Sequence, residues 1–237
     1  MNEEMSPKIL NDLGDKHFYG RGVPKNIELA YTYYKQTADE GNPVGLYNVG
    51  KYFYEKKDYK QAVLFLKRSL ASGYSKSYLF LAEMALKGKG MLKSKKKAFK
   101  FTSEGAKLGD TDAYNQLGFY YVKGIGCDKD ERKAMKYYQK SADLHNPEGM
   151  YQLALMMLHT LKGKRNPMPA IKWLEEAAEE NHIGAIDKLY SLYQIPHPFF
   201  KKRSQAFRDE MMFSYLEKKA KAGDVPALEK VAAEYLE

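Results

Sequence analysis

DAYNQLGFYYVKGIGCDKDERKAMKYYQKSADLHNP, residues Asp112 to Pro147, decides the fold. It divides into a helix, a glycine-punctuated turn, a second helix and a fresh start. A Leu-Gly pair, Leu117-Gly118, sits in the first helical segment, and a G-x-G turn follows at Gly124 and Gly126. Asp130 is of a residue type preferred at helix N-caps, because its carboxylate accepts from backbone amides left free at a helix start. The helix it opens carries Ala134, Tyr137, Tyr138 and Ala142 at three-to-four spacing, a single apolar stripe. Such a stripe is too narrow to close a core alone, so the hairpin needs neighbours.

Working outward, the neighbours stand in register. Leu117 has counterparts at Leu13, Val49, Leu81, Leu153, Leu189 and Val231, and the chain-order intervals are 36, 32, 36, 36, 36 and 42 residues. Ala134 is matched by Ala30, Ala62, Ala98 and Ala170. Three residues further on, an aromatic column runs Tyr33, Phe65, Phe101, Tyr137, Trp173. Before each second helix stands a preferred cap: Asn26, Asp58, Ser94, Asp130, Asn166. Three independent columns with one period describe a stack of helical hairpins that bury their stripes against one another. The predicted fold is all-α: a right-handed superhelical solenoid of antiparallel helix hairpins, with about 13 helices. The units fall at about 7–42, 43–74, 75–110, 111–147, 148–182 and 183–224, with a capping helix at about 225–237, all in a single repeat domain spanning 1–237.

The pattern Leu13-Gly14 through Gly20-Arg21-Gly22-Val23, then Ala30, Tyr33-Tyr34, Ala38 and Gly41, resembles that of the Sel-one-like repeat (SLR) family, close relatives of tetratricopeptide repeats. The resemblance covers nearly the whole chain. It implies an adaptor or scaffold for protein complexes rather than an enzyme, and, for a bacterial source, a role in neutralising or assembling a cognate effector. Some secreted relatives carry a cysteine pair in each repeat and bind penicillin-like compounds. Cys127 is the only cysteine here, so a penicillin-binding or lactam-hydrolysing activity is the unfavoured alternative.

The units differ in their turns and joints. Repeat two replaces the glycine turn by Glu55-Lys56-Lys57-Asp58 and loses four residues. Repeat five carries Leu161 to Pro167 in its place, and repeat six a longer insertion from Ile195 to Arg203, broken by Pro196 and Pro198. The joints Asn42-Pro43 and Asn146-Pro147 place a cap before a proline at the first helical position.

Composition narrows the function classes. The first residues lack a basic region followed by an apolar run, so no signal peptide is read. No run of 18 apolar residues exists that could span a membrane. One cysteine excludes an internal disulfide and suits a reducing cytoplasm. The formal charge is +9, yet residues 51–100 hold 14 Lys or Arg against Glu55, Asp58 and Glu83. That stretch contains a basic patch: Lys87, Lys89, Lys93, Lys95, Lys96, Lys97 and Lys100. A patch of this kind favours an acidic protein partner; nucleic acid is the alternative, weakened because few aromatic residues interleave with the lysines.

No catalytic or metal constellation emerges. His17, His145, His159, His182 and His197 fall in different units, and two of them sit at joints, where they stand in for glycine or a cap. Gly88-Lys89-Gly90 lacks the strand and the G-K-[ST] ending of a phosphate loop and is a turn. Cys127 occupies the column of Val23 and reads as a packed small side chain. No cofactor is implied, and a monomer is favoured.

The functional expectation rests on the first helix of each hairpin, which in such solenoids lines a concave groove. Tetratricopeptide relatives bind peptides there, at positions two and one before the leucine column and two after. Carried over, those positions are Asn11, Asp12 and Asp15; Tyr47, Asn48 and Lys51; Leu79, Phe80 and Glu83; Asn115, Gln116 and Phe119; Tyr151, Gln152 and Leu155; Asp187, Lys188 and Ser191. Side-chain amides both donate and accept, which suits an extended partner backbone.

Overall fold

The computed structural model describes residues 5–160, 166–194, 205–221 and 226–227. Among these residues there are twelve helices and no strand. They pair in sequence as α1 (Pro7–Tyr19) with α2 (Ile27–Asp39), α3 (Pro43–Glu55) with α4 (Tyr59–Ala71), and α5 (Lys76–Lys87) with α6 (Lys95–Lys107). Next come α7 (Thr111–Lys123) and α8 (Glu131–Asp143), α9 (Pro147–Thr160) and α10 (Met168–Glu179), then α11 (Ile183–Gln194) and α12 (Gln205–Lys221). The Ile195–Arg203 insertion and most of the expected capping helix at 225–237 lie outside the described residues.

The helix starts follow the capping chemistry. Asn26, Asp58, Ser94 and Asp130 each accept a backbone N–H three residues on. Asn42 accepts from both Val44 and Gly45, ahead of Pro43 at the first helical position. Asn166 departs from the pattern: Pro167 takes the cap position, and the Asn166 side chain accepts from Met168 N at 3.0 Å. The joints need a left-handed residue, and Gly41, Gly73 and Gly109 supply it. In the next two joints His145 (φ 56°) and Asn181 (φ 59°) hold the same conformation.

The chain divides into two compact units, residues 1–113 with 123–129, and residues 114–122 with 130–237. In the first, Phe18, Ala30, Tyr34, Ala38, Leu46 and Val49 form one buried cluster, and Ala62, Leu66, Leu81 and Met84 another. In the second, one cluster runs from Ala134 and Tyr138 through Leu153 and Leu174 to Leu189 and Tyr215. The alanine column is the inner contact of the first five hairpins: Ala30, Ala62, Ala98, Ala134 and Ala170 are all fully buried.

Backbones approach closely at a second column. Gly45 and Gly149 lie where an added Cβ would sit 2.0 Å from Thr37 Oγ1 and 2.6 Å from Ser141 Cβ, side chains of the preceding hairpin. Ser77, Ala113 and Ala185 hold the same register position, so it is small wherever a preceding helix passes. Ile9 is the first member of this column and is half exposed.

Candidate functional site

In the first unit, α1 and α3 lie side by side, and this contact decides which first-helix residues reach solvent. Asn11 Nδ2 donates to Pro7 O (2.8 Å), and Asn48 Nδ2 donates to Asn11 Oδ1 (3.0 Å). Asn48 Oδ1 in turn accepts from Lys51 Nζ at 3.3 Å. Asn48 is only 3 % exposed. Its expected role as a groove contact is therefore corrected: α1 covers it, and its amide joins two helices instead of meeting a partner.

Lys51 is held as tightly. Its ammonium lies 4.9 Å from the ring centroid of Phe18, 4.8 Å from Tyr19 and 5.7 Å from Tyr47, with Asp15 Oδ1 at 3.6 Å. Cation–π attraction and an ion pair thus fix one charge from several sides. Tyr34 donates its hydroxyl to the same Asp15 oxygen at 2.7 Å, and burial, reinforced by that carboxylate, pushes its phenol well above the usual range. Burial likewise pushes Tyr47 up to about 12, with Tyr74 adding to the shift.

From Lys51 an aromatic row continues across the hairpins of this unit. Tyr47 meets Tyr74 edge-on (5.1 Å) and Phe80 (6.0 Å), and Phe80 meets Tyr54 (5.0 Å). Lys89 closes the row, donating to Tyr54 Oη at 3.0 Å while lying over the rings of Tyr54 and Tyr59. Tyr47, Lys51 and Phe80 are thus brought together in one row. Tyr19, Tyr54 and Lys89 join them from helix ends and turns that the leucine-column offsets do not reach. Glu83 is exposed and paired with Lys87.

In the second unit, Asn115 Nδ2 donates to Asn146 Oδ1 (2.8 Å), the oxygen that also caps α9 by accepting from Gly149 N (3.1 Å). Asn115 thereby braces a joint, and its own Oδ1 is buried with no hydrogen-bond partner among the described residues. Gln116 is half-buried and Phe119 exposed. Tyr151 packs on the His182 ring at 4.7 Å. Gln152 donates to Glu148 Oε1 (2.7 Å), and His182 Nε2 meets Glu148 Oε2 at 2.9 Å. The His182 bond is the main reason that the Glu148 carboxyl sits below its ordinary range. Because His182 Nδ1 accepts from Ala185 N at 3.1 Å, Nε2 carries the proton in the neutral ring, and His182 serves as the cap of α11. Leu155 is half-buried, and Asp187 pairs with Lys219 of α12 at 2.6 Å.

The basic patch separates into two sets. Lys87 and Lys89 are engaged, by Glu83 and by the Tyr54–Tyr59 pair. Lys93, Lys95, Lys96, Lys97 and Lys100 are exposed, in the turn before α6 and along its first turns. The free lysines therefore lie at the hairpin-turn edge of the second helix, not along the first helices.

Among the described residues no three His, Cys, Asp or Glu side chains gather as a metal site, and no helix is long and apolar enough to cross a membrane. Comparison with known proteins places the repeats. The Sel1 repeat family model matches residues 10–42, 43–74, 75–110, 111–146 and 147–182. A sel1-like repeat-containing protein, L21 of Acanthamoeba polyphaga mimivirus, is 35 % identical over 77 residues, which is 32 % of this chain and 14 % of that protein. A Sel1 repeat protein from Oxalobacter formigenes superposes with a TM-score of 0.74 at 23 % identity, over 92 % of this chain and 88 % of that one. The Escherichia coli protective antigen c5321, with an SLR fold, superposes at 0.64 with 22 % identity, over 98 % of this chain and 49 % of that one. With five consecutive matches, the chain belongs to the Sel1 repeat family, an α-solenoid family whose members generally act as protein-interaction scaffolds.

Proposed function

We propose that this protein is a non-enzymatic adaptor that binds a segment of a partner protein along its first-helix faces. The carrying observation is the row Lys51–Tyr47–Phe80–Tyr54–Lys89, in which three aromatic rings are fixed between two ammonium groups. Rings and cations already locked by their neighbours lose little side-chain freedom on binding, so contact energy is not spent on ordering them. Aromatic anchors of this kind dominate protein interfaces. Gln116, Phe119, Tyr151, Gln152 and Leu155 form the corresponding contact set of the second unit. Asn48 and Asn115 support these faces from beneath.

The positive charge of residues 51–100 favours an acidic partner by raising its encounter rate, since unpaired surface cations act over about a Debye length. Neutralising or assembling a cognate effector is one form such binding takes. A monomer working in the cytoplasm fits the single cysteine and the Sel1 fold.

The test is quantitative affinity capture from the native source with the wild type, with Tyr47→Ala/Phe80→Ala, and with Lys93→Gln/Lys96→Gln. A partner lost by the first variant and bound more slowly by the second supports the reading. A partner retained equally by all three removes the row as the binding surface.

A further inference from the structure

We propose that the turn between α5 and α6 is a docking point for an anionic lipid surface, with Leu92 entering the interface and the surrounding lysines meeting headgroups. Leu92 is 83 % exposed at the apex of this turn, the most exposed large apolar side chain among those described. The fold does not require a leucine there: the same register position holds Pro24 in the first repeat and Asp128 in the fourth. The turn itself is rigidly seated. An added Cβ at Gly90 would lie 2.2 Å from Tyr59 O, so the turn rests on the start of α4, which carries Lys60.

From residue 84 to residue 103 every charged side chain is a lysine, and across the turn Lys60 stands beside the α4 cap Asp58. Lys60, Lys93, Lys95, Lys96 and Lys97 are exposed, and none has a carboxylate partner among the described residues. Three of these lysines occupy the first turn of α6, where the helix dipole disfavours cations. The equivalent turns of α2 and α8 carry Glu28 and Glu131. Neither packing nor helix stability accounts for the arrangement.

A lipid surface uses both features at once. Loosely placed lysines contribute additively near an anionic leaflet, and one apolar side chain can enter the acyl boundary without a matching pocket. Nucleic acid would use the lysines but has no place for the leucine, and the exposed part of the turn offers no ring on which bases could stack.

The test is co-sedimentation of the full chain with phosphatidylcholine vesicles, alone or with phosphatidylglycerol at three parts in ten (about 0.3 mole fraction), in about 0.1 M salt. Binding is expected to the anionic vesicles only. Leu92→Ser should weaken it roughly tenfold, and Lys93→Gln, Lys95→Gln, Lys96→Gln and Lys97→Gln together by about two to three orders of magnitude. Tyr47→Ala should leave vesicle binding intact, which separates this proposal from the adaptor reading. Circular dichroism melting shows that each variant is folded. The proposal is overturned by equal binding to neutral vesicles, by no vesicle binding, by a Leu92→Ser variant that binds like wild type, or by retention on polyglutamate or duplex DNA without vesicle binding.

Discussion

Gly118 lies against the ring of Tyr138, so close that a Cβ added to the glycine would fall 2.6 Å from ring carbon Cε1. The Leu-Gly pair of the repeat therefore makes room for a tyrosine on the facing helix. Gly14 and Tyr34 repeat the relationship at 2.3 Å. Both tyrosines of the facing column stand opposite glycine, while smaller facing residues occur with either glycine or alanine: Gly50 faces Leu66, Ala82 shares its unit with Thr102, and Ala154 with Leu174.

Gly118→Ala gains about 1 kcal/mol of helix propensity but must displace a buried ring, which costs about 1–3 kcal/mol. The variant is expected to be less stable than wild type. Pairing it with Tyr138→Leu copies the Ala154–Leu174 combination and relieves the clash. A urea-unfolding double-mutant cycle should give a favourable coupling of at least about 1 kcal/mol. Additive effects would mean that the two columns do not determine each other.

Much of this fold was legible because each hairpin meets the same local demands. Caps, the alanine column and the left-handed joints recur at a fixed period, and His145 and His182 take the joint and cap roles that their positions suggest. The binding face was less legible. Offsets from the leucine column show which way a side chain leaves its own helix, not what lies beside that helix. Asn48 is covered by α1 through a hydrogen bond between residues 37 apart, and Tyr54 and Lys89 meet across 35. Such pairings depend on how successive hairpins are offset, which no single helical wheel contains.

Asn48 is accordingly expected to act on stability. Asn48→Ala removes the donor to Asn11 Oδ1 and the acceptor of Lys51 Nζ, leaving a buried acceptor unmatched at a cost of about 1–3 kcal/mol. Chemical denaturation should show that loss. A neutral effect on stability would return Asn48 to the surface of the site.

The Glu148–His182 pair makes a pH prediction. The His182 bond depresses the Glu148 carboxyl, so its contribution to stability is fully present above the unfolded value of about 4.3 and is lost as pH falls through the lower folded value. Unfolding midpoints measured between about pH 6 and pH 3 should fall more steeply for wild type than for Glu148→Gln. Parallel curves for the two proteins would show that the carboxylate is not coupled to folding.

Gly22 and Gly90 are equivalent turn residues with nearly equal dihedral angles, φ 72° and 71°, yet they should not be equally replaceable. Alanine at either pays the left-handed penalty of about 1–2 kcal/mol. At Gly22 that is the whole effect, since an added Cβ would meet nothing within 4 Å. At Gly90 the Cβ would also lie 2.2 Å from Tyr59 O and 2.9 Å from Val63 Cγ2, so the turn must lift from the start of α4. Gly22→Ala should therefore cost about 1–2 kcal/mol and Gly90→Ala more than about 3. Denaturant midpoints of the two variants measure the difference directly. Equal losses would show that the second glycine serves only the turn's own backbone and takes no part in seating one hairpin on the hairpin before it.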